Sequence, residues 1–154
     1  MIPDFRAATL GDAHSVADVY LRSRKELVVC APLVHSDEDV RDWIRRHLIP
    51  AGRTTVDVAD GRVIGLLAIS KGTDCSWIDQ LYLLPEWVER GIGTRLLELA
   101  QSKLLPPIRL YTFQGNERAR SFYERRGFQA IPFGDGSGNE EKYPDILYER
   151  RPRR

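Results

Sequence analysis

The chain has little of what marks several large classes of protein. Among 154 residues there are only two cysteines, Cys30 and Cys75, and neither they nor the three histidines show the spacing of a metal site. Both cysteines are therefore predicted to be free thiols, and no metal is expected. No apolar run approaches the roughly 18 residues that cross a bilayer, and the N-terminus lacks a basic leader followed by an apolar core. These absences predict a cytoplasmic protein with no membrane contact.

An excess of one charge is also missing. Lysine and arginine number 23 against 22 aspartates and glutamates, so the formal net charge is +1. Nucleic acid, which strongly basic domains bind, is therefore not an expected partner. The C-terminal ERRPRR is a local basic run, which we interpret as a solvated tail. With 42% hydrophobic residues and a length that suits one core, residues 1–154 are predicted to form a single domain.

The periodicity of apolar residues predicts an α/β chain with a mixed sheet. Runs rich in β-formers predict strands at IPDFRAAT, TTVDVA, RVIGLLAIS, CSWIDQLYLLP, IRLYTF, FQAIPF and DILYER. Helical spacing predicts helices capped by Asp12, starting at Ser36, from Gly91 to Leu105 and from Asn116 to Arg126. Asp60-Gly61 predicts a tight hairpin between the second and third strands. The predicted order is β-α-α-β-β-β-α-β-α-β-β.

The stretch PEWVERGIGTRLLELAQ places Gly91 and Gly93 where a strand turns into an amphipathic helix. Glycine in a helix costs about 1 kcal/mol relative to alanine, so the pair indicates that the backbone itself is used. The first N–H groups of a helix lack partners and, with the macrodipole, form an anion site that glycine lets a phosphate approach. The dinucleotide pattern G-x-G-x-x-G fails at Leu96, and a Walker Gly-Lys-Ser/Thr ending is absent. Alone, the fragment leaves two interpretations open, a phosphate site and a plain tight turn.

A second motif, NERARSFYERRGF, places Asn116 at a helix start, Phe-Tyr on one face and Gly-Phe at the exit. Together with LYLLPEWVERGIG it resembles the GCN5-related N-acetyltransferase (GNAT) family, through nearly the whole chain in element order and most specifically from Asp79 to Phe128. The resemblance implies the family's acyl-CoA N-acyltransferase fold, a mixed, mostly antiparallel central sheet with helices on both faces. It also implies an N-acetyltransferase that moves the acetyl group of acetyl-CoA to a primary amine by direct attack in a ternary complex.

The resemblance assigns the cofactor's pyrophosphate to the glycine turn. The family's pattern there is Gln/Arg-x-x-Gly-x-Gly/Ala, and Gly91 and Gly93 match its glycines. Val88 stands where Gln or Arg is usual, and Glu89 adds a negative charge close to the proposed phosphates. We expect the backbone N–H groups to carry most of the binding, and nearby arginines, Arg90 and Arg95, to offset Glu89.

The rest of the implied cofactor site comes from the preceding strand and the following helix. The strand pairs with the pantetheine arm through its backbone and splays from the next strand, so that the thioester enters between them. Asn116 has two interpretations, a helix N-cap and a contact to the pantetheine arm. The implied cofactor-binding residues are Leu81, Tyr82, Leu83, Glu89, Arg90, Gly91, Ile92, Gly93, Thr94, Asn116, Ala119, Phe122 and Tyr123.

Two residues are candidates for catalysis. An amine with a pKa of about 10.4 is neutral in only about one molecule in two thousand at pH 7, so a base is useful. Asp79 is the candidate base, because the period of two places it on one face of its strand with Leu81, Leu83 and Trp77. Tyr123 matches the family's tyrosine general acid, which stabilises the leaving thiolate. The structural alternatives are an ion-paired surface carboxylate for Asp79 and a core tyrosine for Tyr123.

The acceptor is the least determined part of the function. By resemblance, the first two helices and the loop before the last strand set substrate choice. That loop, Gly134 to Pro144, is acidic, which favours a cationic small-molecule or polypeptide amine, with a solvated polar loop as the alternative. His35 and Trp43 are candidates for the acceptor pocket, or else a surface histidine and a core indole. The alternative functions are a non-catalytic acyl-CoA-binding or sensing module and a structural domain without a ligand. A homodimer would be usual for the resemblance.

Overall fold

The computed structural model describes residues 4–28, 31–133 and 136–152, which form a seven-stranded sheet and four α-helices. The strands are β1 (Asp4–Ala7), β2 (Thr54–Ala59), β3 (Arg62–Lys71), β4 (Ser76–Leu83), β5 (Ile108–Phe113), β6 (Gln129–Phe133) and β7 (Asp145–Arg150). The helices are α1 (Ala13–Glu26), α2 (Asp37–Trp43), α3 (Ile92–Lys103) and α4 (Glu117–Glu124), and a π-helical turn, Ile44–Leu48, continues α2. The predicted element order is confirmed. Cys75 is a free thiol, whereas Cys30 lies outside the described residues.

The sheet is mixed and mostly antiparallel, as the sequence predicts. Its strand order is β1-β2-β3-β4-β5-β7-β6, and the pairing of β4 with β5 is parallel while the other described pairs are antiparallel. Asp60 and Gly61 connect β2 to β3 with φ angles of 52° and 73°. Positive φ at both central residues is the geometry of a two-residue hairpin turn that matches the twist of its strands. The parallel pair joins two antiparallel halves at the centre of the sheet.

Both faces of the central strands are covered by helices. Six consecutive residues of β3, from Val63 to Ala68, are buried, which requires protein on both sides of the strand. Both α1 and α3 pack against β3 and β4. The apolar stripes that cover the sheet include Val16 and Val19 of α1 and Leu96 and Leu97 of α3, all within 1% of complete burial. Hydrophobic burial therefore holds α1 and α3 against the two faces of the sheet at strands β3 and β4.

The predicted cap of the first helix by Asp12 is wrong, whereas the second helix starts at Ser36 as predicted. Ser36 Oγ accepts a hydrogen bond from Asp39 N–H at 3.1 Å and caps α2 as expected. Asp12 lies at the N-cap position of α1, but its carboxylate makes no cap bond to that helix. Instead it accepts from both Nη atoms of Arg6, at 2.7 and 2.9 Å, and from Thr9 N–H at 2.8 Å. The charged, bidentate partner on β1 holds the carboxylate and lowers the pKa of Asp12 to about 2.

Asp57 is a fully buried carboxyl group in β2. Burial raises the pKa of Asp57 to about 6, against the opposing effect of the Arg95 guanidinium. A raised pKa in the folded state means that the folded chain binds this proton more tightly than the unfolded chain. The stabilisation is complete below the ordinary pKa of 3.8 and is lost as pH rises through about 6.

We expect the free energy of unfolding to fall by about 2 kcal/mol between pH 4 and pH 6.5 relative to an Asp57→Asn variant. Urea unfolding of both proteins at intervals of pH measures the difference. Asp12→Asn is the control, because the lowered pKa of Asp12 gives a contribution to stability that is constant above about pH 4 and falls only at lower pH. Parallel stability curves for the wild type and Asp57→Asn would contradict the prediction.

Candidate active site

The parallel strands β4 and β5 diverge, and a cavity opens between them. They pair only where Ser76 faces Ile108 and Trp77 faces Arg109, at their N-terminal ends. Beyond this point the strands splay, as the resemblance implies, around a cavity of about 580 Å³. Leu83, Phe122 and the turn residues 89–94 are not among its walls. The predicted site residues that line it are Asp79, Leu81, Tyr82, Asn116, Ala119 and Tyr123.

The edge of β4 that faces the cavity has unpaired backbone groups. Antiparallel pairing alternates the direction of successive N–H and C=O groups, and Leu84 N–H donates to Ile64 O of β3 at 2.8 Å. Leu81 and Leu83 therefore direct their groups to the splayed side. Ser23 Oγ of α1 donates to Leu83 O. Within the described chain, the N–H and C=O of Leu81 and the N–H of Leu83 have no partner, so an extended amide-bearing ligand can add to this edge.

Asp79 is the extra residue of a β-bulge in β4. Ala68 pairs with Gln80 and Ile69 pairs with Ile78, so Asp79 has no residue opposite it. The bulge shifts the alternation of side chains by one, and Trp77 consequently points to the face opposite Leu81 and Leu83. The predicted shared face from Trp77 to Leu83 is therefore wrong.

The Asp79 side chain is exposed to the cavity. Partial desolvation raises the pKa of Asp79, and a hydrogen bond with Ser70 opposes that rise. A carboxylate with a raised pKa is a stronger base than an ordinary aspartate. A bulge is also a common device for re-aiming a side chain at a site.

The turn before α3 presents free backbone donors. Gly91 is the N-cap of α3 with a φ of 81°, a left-handed conformation that glycine adopts without strain. The N–H groups of Ile92, Gly93 and Thr94 have no acceptor among the described residues, as expected at a helix start. Glu89 also has a positive φ, 63°, which is unusual for a residue with a side chain. The donors and the dipole of α3 form an anion site here.

Arg118, rather than Arg90 or Arg95, is the partner of Glu89. Arg118 Nη2 of α4 lies 3.6 Å from Glu89 Oε1. Arg90 instead lies over the ring of Trp87, at 4.9 Å, and Arg95 lies over the ring of Phe5, at 4.6 Å. Glu89 thus has a partner that sequence reasoning does not name, and the offsetting role of Arg90 and Arg95 stays a prediction.

Gly93 allows α4 to approach the turn closely. A Cβ atom at Gly93 would lie 3.4 Å from two ring atoms of Phe122. Phe122 thus packs on the first turn of α3 and is not among the residues that line the cavity, and its part in cofactor binding stays a prediction. Arg126, which the sequence motif did not single out, donates from Nη2 to Thr94 Oγ1 at 2.6 Å. The two helices that carry the motifs are held together at this contact.

Tyr123 and Asn116 bring α4 to the cavity. Tyr123 is 7% exposed, and its ring meets those of Phe122 and Phe128 edge-on at 5.1 and 5.5 Å. Burial raises the pKa of Tyr123, so its hydroxyl keeps its proton at neutral pH. Asn116 Oδ1 accepts from Ala119 N–H at 3.2 Å and caps α4, which leaves its Nδ2 free to face a ligand. The predicted N-cap is confirmed, and Tyr123 has both a core position and access to the cavity.

The opposite wall of the cavity is acidic. Glu141 and Asp145 line it together with Asp79, and within the described chain no lysine, arginine or histidine does. Gly134 and Asp135 of the predicted acidic loop lie outside the described residues. His35 Nε2 lies 3.2 Å from Glu140 Oε2, so the segment that leads into α2 contacts the loop before β7.

Three side chains of the first two helices, Tyr20, Arg24 and Trp43, are not among the residues that line the cavity. Trp43 is 37% exposed and packs against Tyr20 with ring centroids 6.2 Å apart, and neither Trp43 nor His35 lines the cavity. Arg24 of α1 is buried, with Nη2 donating to Pro32 O at 3.1 Å and its guanidinium 5.3 Å from the ring of Phe113. The first two helices thus support the cavity without entering it through these side chains.

Neither a metal-binding cluster nor a membrane-spanning helix is found among the described residues. No group of three or more His, Cys, Asp or Glu side chains among them is arranged to hold a metal ion. No helix in the described part of the chain is long and apolar enough to span a bilayer.

Residues 21–128 match the sequence model of the acetyltransferase (GNAT) family. The chain belongs to this family. Membership confirms the activity that the two motifs imply, an N-acetyltransferase that uses acetyl-CoA. The alternatives of a non-catalytic CoA-binding module and a ligand-free domain find no support.

Relatives of this GNAT chain differ in their acceptors. It is 31% identical over 72 residues to peptidyl-lysine N-acetyltransferase YiaC of Escherichia coli, a match that covers 47% of each chain. It is 28% identical over 130 residues to spermidine N(1)-acetyltransferase of Thermoplasma acidophilum, covering 71% of this chain and 80% of that one. The acceptor therefore does not follow from relationship alone.

Solved structures confirm the GNAT fold. The PaiA N-acetyltransferase of Thermoplasma acidophilum in complex with coenzyme A has a TM-score of 0.75 at 22% identity, covering 99% of this chain and 100% of that one. A GNAT acetyltransferase of Bacillus cereus has a TM-score of 0.76 at 20% identity, with both chains fully covered. At such identities the likeness concerns the fold.

Proposed function

We propose that the cavity between β4 and β5 is the active site, with acetyl-CoA along the β4 edge and a cationic primary amine on the acidic wall. The observation that carries this proposal is the unpaired edge at Leu81 and Leu83, which opens directly beside Tyr123 and Asp79. An edge of this kind binds amide groups as an added strand would, and pantetheine contains two amides. The acetyl thioester then reaches the centre of the cavity.

The cofactor site divides between three elements. The N–H and C=O of Leu81 and the N–H of Leu83 pair with pantetheine, and Asn116 Nδ2 donates to the same arm. Tyr82 and Ala119 supply apolar wall. The turn residues 89–94 hold the pyrophosphate, chiefly through the N–H groups at the start of α3. Phe122 acts indirectly by fixing α4 against that turn.

The reaction proposed is direct transfer. The nitrogen of the amine attacks the acetyl carbonyl carbon, the C–S bond breaks, and CoA leaves as a thiolate. Asp79 takes the proton of the amine, directly or through a water, and Tyr123 hydrogen-bonds the sulfur as its charge develops and passes it a proton. A thiol has an ordinary pKa of about 8.5 and a tyrosine about 10, so this proton transfer is uphill and the hydrogen bond to the developing thiolate matters most.

The acceptor proposed is an amine with a second positive charge. Three carboxylates, Asp79, Glu141 and Asp145, line the cavity, and no lysine, arginine or histidine of the described chain is among its lining residues. Asp145 Oδ2 accepts from Asn139 Nδ2 at 3.1 Å, whereas the Glu141 carboxylate forms no hydrogen bond or ion pair with another described residue. One carboxylate serves the reacting amine, and Glu141 is placed to bind a second ammonium group. Relatives that act on spermidine and on peptidyl-lysine support a cationic class of acceptor.

Thiol release from acetyl-CoA across matched amines tests the proposed function. We expect 1,5-diaminopentane to be acetylated with a KM up to about five-fold below that of pentylamine, since a partly exposed ion pair contributes up to about 1 kcal/mol. Glu141→Gln should remove this difference and leave the KM of pentylamine unchanged. If none of the amines supports thiol release although acetyl-CoA binds, catalysis at this site is refuted. Equal KM values for the two amines would refute the second charge.

Three broader features are also proposals. A single domain over residues 1–154, a homodimer and a cytoplasmic location are supported by length, by the family and by composition respectively. A net charge of +1 supports the absence of nucleic acid as a partner.

A further inference from the structure

The guanidinium of Arg126 is fixed against the first turn of α3. Its Nη2 donates to Thr94 Oγ1 at 2.6 Å and its Nη1 donates to Phe122 O at 2.9 Å. The guanidinium carbon lies 3.9 Å from the centroid of the Phe122 ring. The Nε atom is buried and has no hydrogen-bond partner within the described chain. The cation is therefore held in one orientation by contacts from both helices.

This placement is electrostatically unfavourable without a ligand. The N-terminus of a helix carries about half a positive charge, so a cation there is repelled where an anion would be stabilised. No carboxylate of the described residues pairs with Arg126: Glu89 pairs with Arg118, and Glu124 accepts from Tyr148 Oη. Ordering a long side chain also costs conformational entropy. The Arg126 guanidinium and the positive N-terminus of α3 therefore lie next to each other, and an anion bound there would be attracted to both.

The neighbouring turn lacks a cationic or amide side chain at the position where the family's motif has one. Val88 has no side-chain donor, and Glu89 is turned toward Arg118 of α4. Arg126 comes to the same N–H groups from the other helix. It retains N–H groups beyond the two donors already used.

We propose that Arg126 is a ligand of the cofactor's pyrophosphate and replaces the side chain that is missing at Val88. The inference rests on the proposed placement of acetyl-CoA. Arg126 donates to the phosphate oxygens beside the N–H groups of Ile92, Gly93 and Thr94, and its contact with Thr94 Oγ1 sets its direction. Pyrophosphate binding here therefore depends on α4 as well as on the glycine turn.

Binding of three ligands to Arg126→Gln tests the proposal. Titrations of CoA, 3′-dephospho-CoA and pantetheine, followed by NMR, separate the pyrophosphate from the 3′-phosphate and from the pantetheine arm. We expect Arg126→Gln to raise the Kd of CoA and of 3′-dephospho-CoA equally, by roughly ten-fold or more. The Kd of pantetheine, which lacks the pyrophosphate, should change by less than about two-fold, the error of such titrations. Arg126→Lys should recover part of the loss, since it keeps the charge.

Arg125→Gln is the matched control, because the neighbouring Arg125 is exposed and donates to Ser121 O on its own helix. It should leave all three Kd values unchanged. If Arg126→Gln weakens the binding of pantetheine as much as that of CoA, Arg126 acts only in packing, and the proposal is overturned. A loss for CoA alone would assign Arg126 to the 3′-phosphate and also overturn it. If Arg126→Gln does not fold, the same three ligands with Arg126→Lys, in low and high salt, decide the question.

A failure of the proposed function has a different signature. Wild-type protein would then bind none of the three ligands. If the proposed function is right but the role of Arg126 is wrong, the wild type binds CoA normally. The Arg126→Gln variant then loses affinity for all three ligands alike, or for none of them.

Discussion

Tyr123→Phe is expected to lower kcat by about 100-fold or more and to leave the Kd of acetyl-CoA within about two-fold. The change removes one hydroxyl from a ring that is 7% exposed and packed between Phe122 and Phe128, so the fold should persist. What is lost is the hydroxyl that we propose as the donor to the leaving sulfur. Thiol release under saturating acetyl-CoA gives kcat, and calorimetric titration gives Kd. An unchanged kcat would remove Tyr123 from the mechanism and leave it a core residue.

The pH dependence separates Tyr123 from Asp79. If Asp79 is the base, the defect of Asp79→Asn should shrink as pH rises toward the pKa of the amine, because more of the amine is already neutral. The defect of Tyr123→Phe should not shrink in this way, since the raised pKa of Tyr123 keeps the wild-type hydroxyl protonated over the same range. Parallel pH profiles for the two variants would contradict the assignment of separate roles.

Gly93→Val is expected to raise the Kd of acetyl-CoA by roughly 30-fold and to lower the free energy of unfolding by about 1–3 kcal/mol. A Cβ atom at Gly93 already meets the Phe122 ring at 3.4 Å, and the two further methyl groups of valine would push α4 from the turn. They would also stand where phosphate oxygens must approach the N–H groups of α3. Titration with acetyl-CoA and urea unfolding measure the two effects.

Gly91→Ala is the matched control for this change. Nothing lies within 4 Å of a Cβ at Gly91, so alanine meets only the strain of its φ of 81°, about 1–2 kcal/mol. Its effect on the Kd of acetyl-CoA should therefore be smaller than that of Gly93→Val. A larger effect of Gly91→Ala would show that the conformation of the turn, and not the close approach to Phe122, limits binding.

The parts of the fold that sequence reasoning predicts correctly depend on neighbours in the chain. Asp60-Gly61 forms its hairpin because two successive positive φ angles suit these residues, and Ser36 caps α2 because the accepting N–H is three residues away. The glycine turn and the Asn116 cap are likewise local. Such signals are complete within a few residues, and two of them at the right separation were sufficient to indicate the family.

The parts that it misses depend on partners far along the chain. Asp12 binds Arg6 of β1 rather than its own helix, and the bulge at Asp79 arises from the register between β3 and β4. One extra residue in β4 reverses which side chains share a face, so strict alternation fails for Trp77. The contact of Phe122 with Gly93 is likewise not local, because its position depends on how α4 packs on α3.

The order of the helices and strands, the family, and the two motifs that contain Gly91 and Tyr123 follow from local patterns in the 154 residues. Capping, turn geometry and periodicity act over a few positions and are therefore visible in the sequence. The bulge at Asp79, the ion pair of Arg118 with Glu89 and the contact of Arg126 with Thr94 follow only from the folded chain. Each of these joins residues from separate elements, and packing of both helices on one sheet determines their distances. The catalytic motif is thus legible in the sequence, while the surroundings that direct its chemistry are products of tertiary packing.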